Sequence, residues 1–332
     1  MNVHYGAPFR GEELAKLESF LSEQNLSYDN NIQFSVCLMD ESQIAATGSL
    51  DANTLKCIAV ARAYQNEGLA ASIVTELINE AGRRGYYHLF LFTKPENEDL
   101  FTGLGFYQIA KTGQVLLMEN KKQGISHFVS SLKKPETAAE TGAIVANCNP
   151  FTTGHLYLIE TAASQCDLLY LFIVSEDKSA FPAETRLELV RLGTAHIPNV
   201  QVCTTGHYLV SAATFPDYFL KDRPGAVSLK SLSTELDLRI FAECFAGPLG
   251  IKRRYVGTES IDEITAFYNR SMKELLPSYG IDVIEIPRLE DSGGIISASR
   301  VRRLLGERNH EAVLKLVPQS VYDLLIKNCK IG

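Results

Sequence analysis

Short apolar runs that alternate with amphipathic helical patterns constrain the second half of this chain more than any other feature. The run "LLYLFIV", Leu168 to Val174, is apolar at every position, which is typical of a strand buried on both faces of a parallel sheet. It is far too short to cross a bilayer. The runs "AIVANC", "VQVCTT", "RRYVG" and "IDVIEIP" are interspersed with helical patterns such as "ETRLELVRLGTAH". This alternation predicts an α/β fold with a Rossmann-like, doubly wound parallel sheet, whose ligands bind at the carboxyl ends of the strands.

The first part of the chain follows an α+β pattern instead. "QIAATGSL" and "TLKCIAV" predict neighbouring strands, and an apolar repeat of helical spacing starts after Gly68. With 332 residues the chain is long for one hydrophobic core. The polar segment "GISHFVSSLKKPETAAETG" is the best linker candidate. We therefore predict a first domain over residues 1–123, a linker over 124–141 and a second domain over 142–332.

Charge and cysteine usage narrow the class of protein. A formal net charge of -7 argues against a general binder of nucleic acid or of anionic membranes. The seven cysteines are dispersed, without a Cys-x-x-Cys pair or zinc spacing, so they indicate reduced thiols in a cytosol. No metal motif is recognisable, and the N-terminus lacks an apolar signal core. These features predict a cytoplasmic protein without a dedicated metal site.

One strand-to-helix turn carries residues suited to phosphate. The stretch "AIVANCNPFTTGHLYLIE" leads from an apolar strand through a polar loop into an amphipathic helix. A helix N-terminus offers unpaired N–H groups and a partial positive charge to an anion. Gly154 allows close approach of the backbone, and His155 can donate a hydrogen bond to a phosphoryl oxygen. A polar turn with a capping histidine has the same local sequence, so this motif alone does not decide the function.

A second helix start also carries residues that are suited to bind phosphate. In "GIISASRVRRLL", Ser297 and Ser299 stand where capping residues stand, and Arg300, Arg302 and Arg303 follow in the first turns. Cations are unfavourable at a helix N-terminus, and a bound anion would remove that conflict. Two such helix starts in one parallel-sheet domain favour a phosphate site over two ordinary caps.

Together, Thr152-x-Gly154-His155 and Ile296-Ser297-x-Ser299-x-x-Arg302 resemble the paired signature of the nucleotidylyltransferase superfamily. That superfamily binds ATP across a Rossmann-like sheet and directs attack on its α-phosphate. The resemblance implies three catalytic residues, His155, Thr152 and Arg302. It further implies that ATP contacts Asn149, Pro150, Phe151, Gly154, Gly257, Glu259, Ser297 and Ser299.

A narrower resemblance extends over the whole chain. The blocks "NCNPFTTGHLYLIE", "ATFPDYFLKD", "ELDLRIFAE" and "EIPRLEDSGGIISASRVRRLL" resemble the citrate lyase ligase family. The resemblance implies a ligase that uses ATP, with Mg²⁺, and acetate to acetylate the prosthetic-group thiol on the acyl-carrier subunit of citrate lyase. AMP and pyrophosphate would be released. Acetate is ionised at neutral pH, since acids of its class titrate near pKa ~4–5, so the attack needs no general base.

Three other cations have open roles. Lys178 follows the second predicted strand of the domain, where it could contact the triphosphate or lie in solvent. Arg186 stands at a helix start with the same two alternatives. Lys221 lies in a block distinctive of the family, without a role that follows from sequence. Arg303 is predicted to be a solvated residue.

The first domain resembles the GNAT acetyltransferases. "QNEGLA" matches their pyrophosphate-binding loop, and "DLFTGLGFY" matches a later helix–strand element. The resemblance implies that Gln65, Gly68 and Ala70 bind a CoA-like group such as the dephospho-CoA-type prosthetic group. Phe101 stands where that family often places a general-acid tyrosine, so the domain is predicted to bind without transferring acetyl to an amine.

Two other functions stay open at this point. One is an adenylyltransferase with a phosphate nucleophile, such as a mononucleotide or phosphopantetheine, and the other is a GNAT N-acetyltransferase or acetyl-CoA sensor. The family-specific blocks at Phe215–Asp222 and Glu235–Arg239 count against the first alternative, and Phe101 counts against the second as an enzyme. The residues that select acetate do not follow from sequence.

Overall fold

The computed structural model describes residues 1–29, 31–132, 140–175, 179–210, 229–259 and 262–328. The chain divides into two compact units. The first comprises Met1–Ile125 and, among the later described residues, 229–236. The second comprises the remaining described residues from Ser126 onward.

The first unit contains a seven-stranded sheet in the order β1-β2-β3-β4-β5-β7-β6. Its strands are β1 (Asn2–Gly6), β2 (Phe34–Asp40), β3 (Gln43–Asp51), β4 (Thr54–Val60), β5 (Phe90–Thr93), β6 (Tyr107–Lys111) and β7 (Leu116–Glu119). Neighbouring strands are antiparallel, except that β4 and β5 run parallel. The β4–β5 pairing joins Thr54 with Phe90 and Leu55 with Leu91. The two strands therefore pair at the start of β4.

Among the described residues, three α-helices lie wholly within this unit, namely α1 (Gly11–Glu23), α2 (Leu69–Arg83) and α3 (Glu98–Gly103). Helix α2 buries Ile73, Val74 and Leu77 in the core, as the helical spacing predicts. It packs closely, because a Cβ at Gly48 of β3 would lie 2.5 Å from the Ile73 side chain. Strand β5 starts later than the predicted "YYHLFLF", because the Leu89 N–H donates to the Asn120 side chain instead of to a neighbouring strand.

The second unit contains a parallel five-stranded sheet in the order β10-β9-β8-β11-β12. Its strands are β8 (Thr141–Ala146), β9 (Leu168–Ile173), β10 (Val200–Thr204), β11 (Ile251–Gly257) and β12 (Asp282–Ile286), with a separate hairpin of β13 (Glu290–Asp291) and β14 (Gly294–Ile295). The chain runs outward from β8 to β10 and then crosses back to β11 on the other side of β8. This reversal is the point where doubly wound sheets bind ligands, so the predicted fold class is confirmed and the ends of β8 and β11 are the place to look.

The helices of this unit cover both faces of the sheet. They are α4 (Gly124–Ser131), α5 (Thr153–Ala163), α6 (Ala183–Thr194), α7 (Leu229–Arg239), α8 (Gly247–Leu249), α9 (Glu263–Leu275), α10 (Ala298–Gly306), α11 (His310–Leu316) and α12 (Gln319–Asn328), with a π-helix at Ile240–Ala246; α4 and α7 cross the boundary between the units. In β9, Leu169 and Leu171 join the core with α5 and α6. Phe172 points to the other face, with its ring 5.5 Å from that of Phe245 in the π-helix. Strand β9 is therefore buried on both faces, as "LLYLFIV" predicts.

The predicted linker, residues 124–141, includes helix α4 and the first residue of β8. Phe128 of α4 packs in the second unit, with its ring centroid 5.4 Å from Tyr208 and 6.1 Å from Phe245. Residues 133–139 are outside the described part, so the boundary itself stays a prediction. Within the described ranges, the structure has no helix of the length and apolar character that a membrane span requires.

Candidate active site

The turn between β8 and α5 forms a closed capping arrangement. Thr152 is the N-cap residue, and its hydroxyl accepts a hydrogen bond from the His155 backbone N–H at 3.3 Å. In return, His155 Nδ1 accepts a hydrogen bond from the Thr152 backbone N–H at 3.1 Å. Because Nδ1 is the acceptor, the neutral ring carries its proton on Nε2. The cap therefore holds one nitrogen of His155 and leaves Nε2–H as the donor for a ligand.

The ring of His155 is held in place and kept neutral. It stacks on Phe151, with ring centroids 5.9 Å apart and planes 17° apart. Phe151 is fully buried and lies against Gly193, where a Cβ would come within 2.3 Å of the phenyl ring. Burial, with the positive charge of Arg288 nearby, lowers the pKa of His155 to about 4. His155 is therefore a neutral donor at physiological pH.

The second motif starts helix α10 in the same way. The Ser297 hydroxyl caps the helix by accepting from the Arg300 N–H at 3.2 Å. Arg302 donates from Nη2 to the Ser299 hydroxyl at 2.9 Å and from Nη1 to the Asn149 carbonyl. Since Asn149 belongs to the β8–α5 turn, Arg302 ties the two motifs together.

Gly154 brings the two helix starts into contact. A Cβ at this position would lie 2.8 Å from the Ile296 carbonyl oxygen, the residue before the α10 cap. Sequence reasoning predicts that Gly154 admits a ligand. In the structure its open side faces the partner motif, so its lack of a side chain lets the N-termini of α5 and α10 stand together at one edge of the sheet.

The loops after β11 and β12 supply a further cation that sequence reasoning missed. Arg288, which follows β12, forms an ion pair with Glu259, which follows β11, and its backbone N–H donates to the Thr258 hydroxyl at 3.2 Å. Gly257 ends β11, and its carbonyl accepts from the Asn269 side chain at 3.0 Å. The sequence carries one signal that could have identified Arg288: in "EIPR" this residue stands just past the carboxyl end of a predicted strand.

Arg186 has a structural role that neither sequence alternative describes. Its fully buried side chain donates to the carbonyls of Phe181 at 3.1 Å, Asn147 at 2.9 Å and Val174 at 2.8 Å. These carbonyls belong to the loops after β8 and β9. Arg186 therefore fixes those loops from within, and the adjacent Asn149 side chain adds a bond by accepting from the Phe181 N–H at 3.0 Å.

The other predicted positions fall into three groups. Pro150 and Phe151 have buried side chains, so only their backbone could contact a ligand. Arg303 is exposed and pairs with Glu307 at 3.0 Å, as expected of a solvated residue. Lys178, Lys221 and the block Phe215–Asp222 lie outside the described residues. No cluster of three or more His, Cys, Asp or Glu side chains that could hold a metal occurs in the described part of the chain.

The GNAT-like loop of the first unit is exposed at the start of α2. Gly68 is the N-cap residue and has φ +77°, a conformation that favours glycine. A Cβ there would meet nothing within 4 Å, so the space in front of the helix is open. Gln65 precedes it and Ala70 lies in the first turn. Phe101 is buried in the core. Its hydrocarbon ring stands at the position where many GNAT enzymes have the tyrosine that acts as general acid.

The fold and the site define the second unit as a domain of the nucleotidylyltransferase type, in which two capped helix N-termini, a neutral histidine and two arginines meet at the switch point of a Rossmann-like sheet. Comparison with known proteins supports this assignment of the second unit. Residues 141–325 match the family model described as citrate lyase ligase C-terminal domain, and residues 7–130 match an acetyltransferase (GNAT) domain.

Curated relatives identify the family. The chain is 41% identical to citrate (pro-3S)-lyase ligase of Escherichia coli strain K12, over 92% of this chain and 88% of the relative. It is 40% identical to the enzyme of the same name from Klebsiella pneumoniae, over 94% of this chain and 92% of the relative. A phosphopantetheine adenylyltransferase from Corynebacterium efficiens is 29% identical over 41% of this chain and 82% of the relative. The chain therefore belongs to the citrate lyase ligase family, a family of ligases.

The contact between Gly154 and Ile296 generates a stability prediction. Gly154→Ala should destabilise the protein by about 2 kcal/mol, because the new methyl group would overlap a backbone oxygen that cannot move without shifting α10. Gly306→Ala is the matched control, since Gly306 lies in α10 with nothing within 4 Å of a Cβ. It should be neutral or stabilising by up to ~1 kcal/mol. Urea unfolding of both variants measures the difference, and equal stabilities would contradict the close approach.

The depressed pKa of His155 generates a pH prediction. The folded pKa of about 4 lies below the ordinary value of 6.5, so the unfolded chain binds the proton more readily. The resulting stability is complete above pH 6.5 and is lost as pH falls toward 4, by up to ~3 kcal/mol.

The measurement is the free energy of unfolding between pH 4 and 7 for wild type and His155→Gln. The variant should lack this part of the pH dependence. His196→Gln, which alters an exposed histidine of the same unit, should keep it. The same slope in wild type and His155→Gln would show that His155 is not the residue responsible.

Proposed function

We propose that this protein uses ATP and acetate to acetylate the prosthetic-group thiol on the acyl-carrier subunit of citrate lyase. Family membership supports this, as do the names of the relatives that share about 40% of its sequence. The observation that carries the proposal is the meeting of His155 Nε2–H, Arg302 and two helix N-termini at one edge of the sheet. We expect the reaction in the cytoplasm.

The first step forms acetyl-adenylate. A carboxylate oxygen of acetate bonds to the α-phosphorus, the bond to the bridging oxygen of the β-phosphate breaks, and pyrophosphate leaves with the electron pair. His155 Nε2–H and Arg302 stabilise the charge that develops on the phosphoryl oxygens. The backbone N–H groups around Ser297 and Ser299 bind the β,γ end. Gly257 and Glu259 are proposed to contact the adenosine, while Asn149 and Thr152 shape the α-phosphate site.

No side chain has to remove a proton in this step, because acetate is already ionised. A neutral histidine is therefore sufficient, and the described residues of the site need no carboxylate–histidine pair. Mg²⁺ would enter with the triphosphate, since it usually binds phosphates and keeps several waters. In the second step the thiol sulfur bonds to the acetyl carbon, AMP leaves, and the thiol proton passes to solvent.

The test follows both half-reactions. The protein is incubated with ATP, Mg²⁺, acetate and thiol-form citrate lyase, while AMP, pyrophosphate and the mass of the acyl carrier are measured. Acetate-dependent release of pyrophosphate with one acetyl group added to the carrier is the expected result. Pyrophosphate release with 4'-phosphopantetheine or a mononucleotide instead of acetate would indicate an adenylyltransferase with a phosphate nucleophile.

Arg302 and Arg303 form a matched pair for this assay. Arg302→Gln should lower kcat/KM for ATP by roughly 10–100-fold, the usual size of one lost charge-assisted hydrogen bond. Arg303→Gln should change it less than about 2-fold, because that side chain is exposed and pairs only weakly at the surface. Thermal melting of both variants controls for the loss of the Asn149 contact. Equal kinetic effects would show that the assignment of Arg302 is wrong.

The first unit is proposed to bind the dephospho-CoA-type prosthetic group at the loop Gln65–Ala70. The supporting features are the open space at Gly68 and the N–H groups at the start of α2. Buried Phe101 fits a domain that binds this group without using a tyrosine acid. The acetyl-adenylate reaction would then need only the second unit.

Gly68→Val tests this role against Gly85→Val. Both glycines are exposed, have positive φ (+77° and +85°) and open space at Cβ, so both variants carry similar backbone strain. Gly68→Val should depress acetyl transfer to the carrier while acetate-dependent exchange of pyrophosphate into ATP persists. Gly85→Val should affect neither half-reaction. Wild-type acetyl transfer in a folded Gly68→Val variant would exclude the loop as the docking site.

A further inference from the structure

A buried arginine with unsatisfied donors lies in strand β11 of the second unit. Arg254 is in the middle of β11, and its residue surface is 4% exposed. Its guanidinium carbon lies 4.5 Å above the centre of the Phe241 ring in the π-helix. Among the described residues, Nε and Nη1 have no hydrogen-bond acceptor although both atoms are buried.

Such an arrangement is costly in the free protein. Burying the Nε and Nη1 donors of a charged group without acceptors is unfavourable, and the stacking on Phe241 offsets only a part of that cost. Burial lowers the pKa of Arg254, while Tyr268 and Asp237 oppose this. An arginine stays charged under these conditions, so two donors are ready for an anion.

The neighbouring acid is already engaged with other donors. Asp237 is fully buried and accepts hydrogen bonds from the Val210 N–H at 2.7 Å and from the Tyr268 hydroxyl. Val210 follows the carboxyl end of β10, so Asp237 and Tyr268 link the surroundings of Arg254 to the ligand-binding edge of the sheet. Asn269, the next residue of α9, donates to the carbonyl of Gly257 at the end of β11. Arg254 itself lies three residues before Gly257, the residue that ends β11.

We propose that Arg254 binds the carboxylate of the acid substrate. A guanidinium is suited to a planar carboxylate, because its N–H donors can bind both carboxylate oxygens in parallel. The inference rests on the proposed function, because it assigns the acid that attacks the α-phosphate to a residue of β11.

Arg254→Met and Arg254→Lys test this role, with Arg253→Met as the control. Arg253 is partly exposed and binds Glu140 and the Gln165 carbonyl instead. Arg254→Met should raise the KM for acetate about 100-fold in pyrophosphate exchange, since charged hydrogen bonds of ordinary strength are lost. Binding of ATP alone, measured by calorimetry, should stay within about 2-fold of wild type. Arg253→Met should alter neither quantity.

Thermal melting separates ligand binding from a structural role. Because two buried donors without acceptors are removed, Arg254→Met should melt at or above the wild-type temperature. A much lower melting temperature, together with an unchanged KM for acetate in Arg254→Lys, would show that Arg254 is paired structurally and would overturn the inference. A loss of ATP affinity equal to the loss for acetate would overturn it too, because Arg254 would then bind phosphate.

A measurement that requires no catalytic turnover distinguishes a failure of this inference from a failure of the proposed function. Acetate at high concentration should raise the melting temperature of wild type and of Arg253→Met but not of Arg254→Met. This pattern without any acetate-dependent exchange would support Arg254 as a carboxylate site and refute the proposed reaction. Equal stabilisation of all three proteins by acetate, or of none, would refute the site.

Discussion

The structure of the second unit depends on holding two helix N-termini against each other. The starts of α5 and α10 both carry partial positive charge, and Arg302 adds a full charge between them. They stay together because Gly154 has no side chain to separate its helix from Ile296, and because Arg302 donates to both Asn149 and Ser299. The pairing concentrates positive potential at one edge of the sheet, which an anion with several oxygens would relieve.

The same arrangement sets the protonation state of His155. Its Nδ1 is occupied by the cap, its ring is stacked on Phe151, and Arg288 is close enough to disfavour a second proton. A neutral imidazole with a fixed tautomer can donate to phosphate throughout a reaction without being lost to protonation. The acid substrate of the proposed reaction would need no base, which agrees with a histidine that stays neutral. Arg254 adds two buried donors without an acceptor among the described residues, which the carboxylate of the proposed acid substrate would satisfy.

Much of the fold follows from local patterns in the sequence. The run "LLYLFIV" is apolar throughout and becomes a strand that is buried on both faces, and the spacing of Ile73, Val74 and Leu77 becomes the core side of α2. These outcomes depend on hydrophobic burial with period 2 or 3.6, which a sequence records directly. Helix α4 was missed, because the polar residues around Pro135 indicate a linker and its contact with Tyr208 and Phe245 is remote in sequence.

The features of the candidate site also divide into those that a local sequence pattern predicts and those that it does not. The sequence by itself determined the two helix caps, at Thr152 and Ser297, since capping needs only residues three positions apart. Only the tertiary structure decided that Gly154 faces Ile296, that Arg186 is a buried anchor and that Arg288 reaches the surroundings of His155. It also buried Arg254 and left its Nε and Nη1 without an acceptor among the described residues. The physical reason is that these roles arise from distances between segments far apart in the chain, and a local pattern carries no information about such distances.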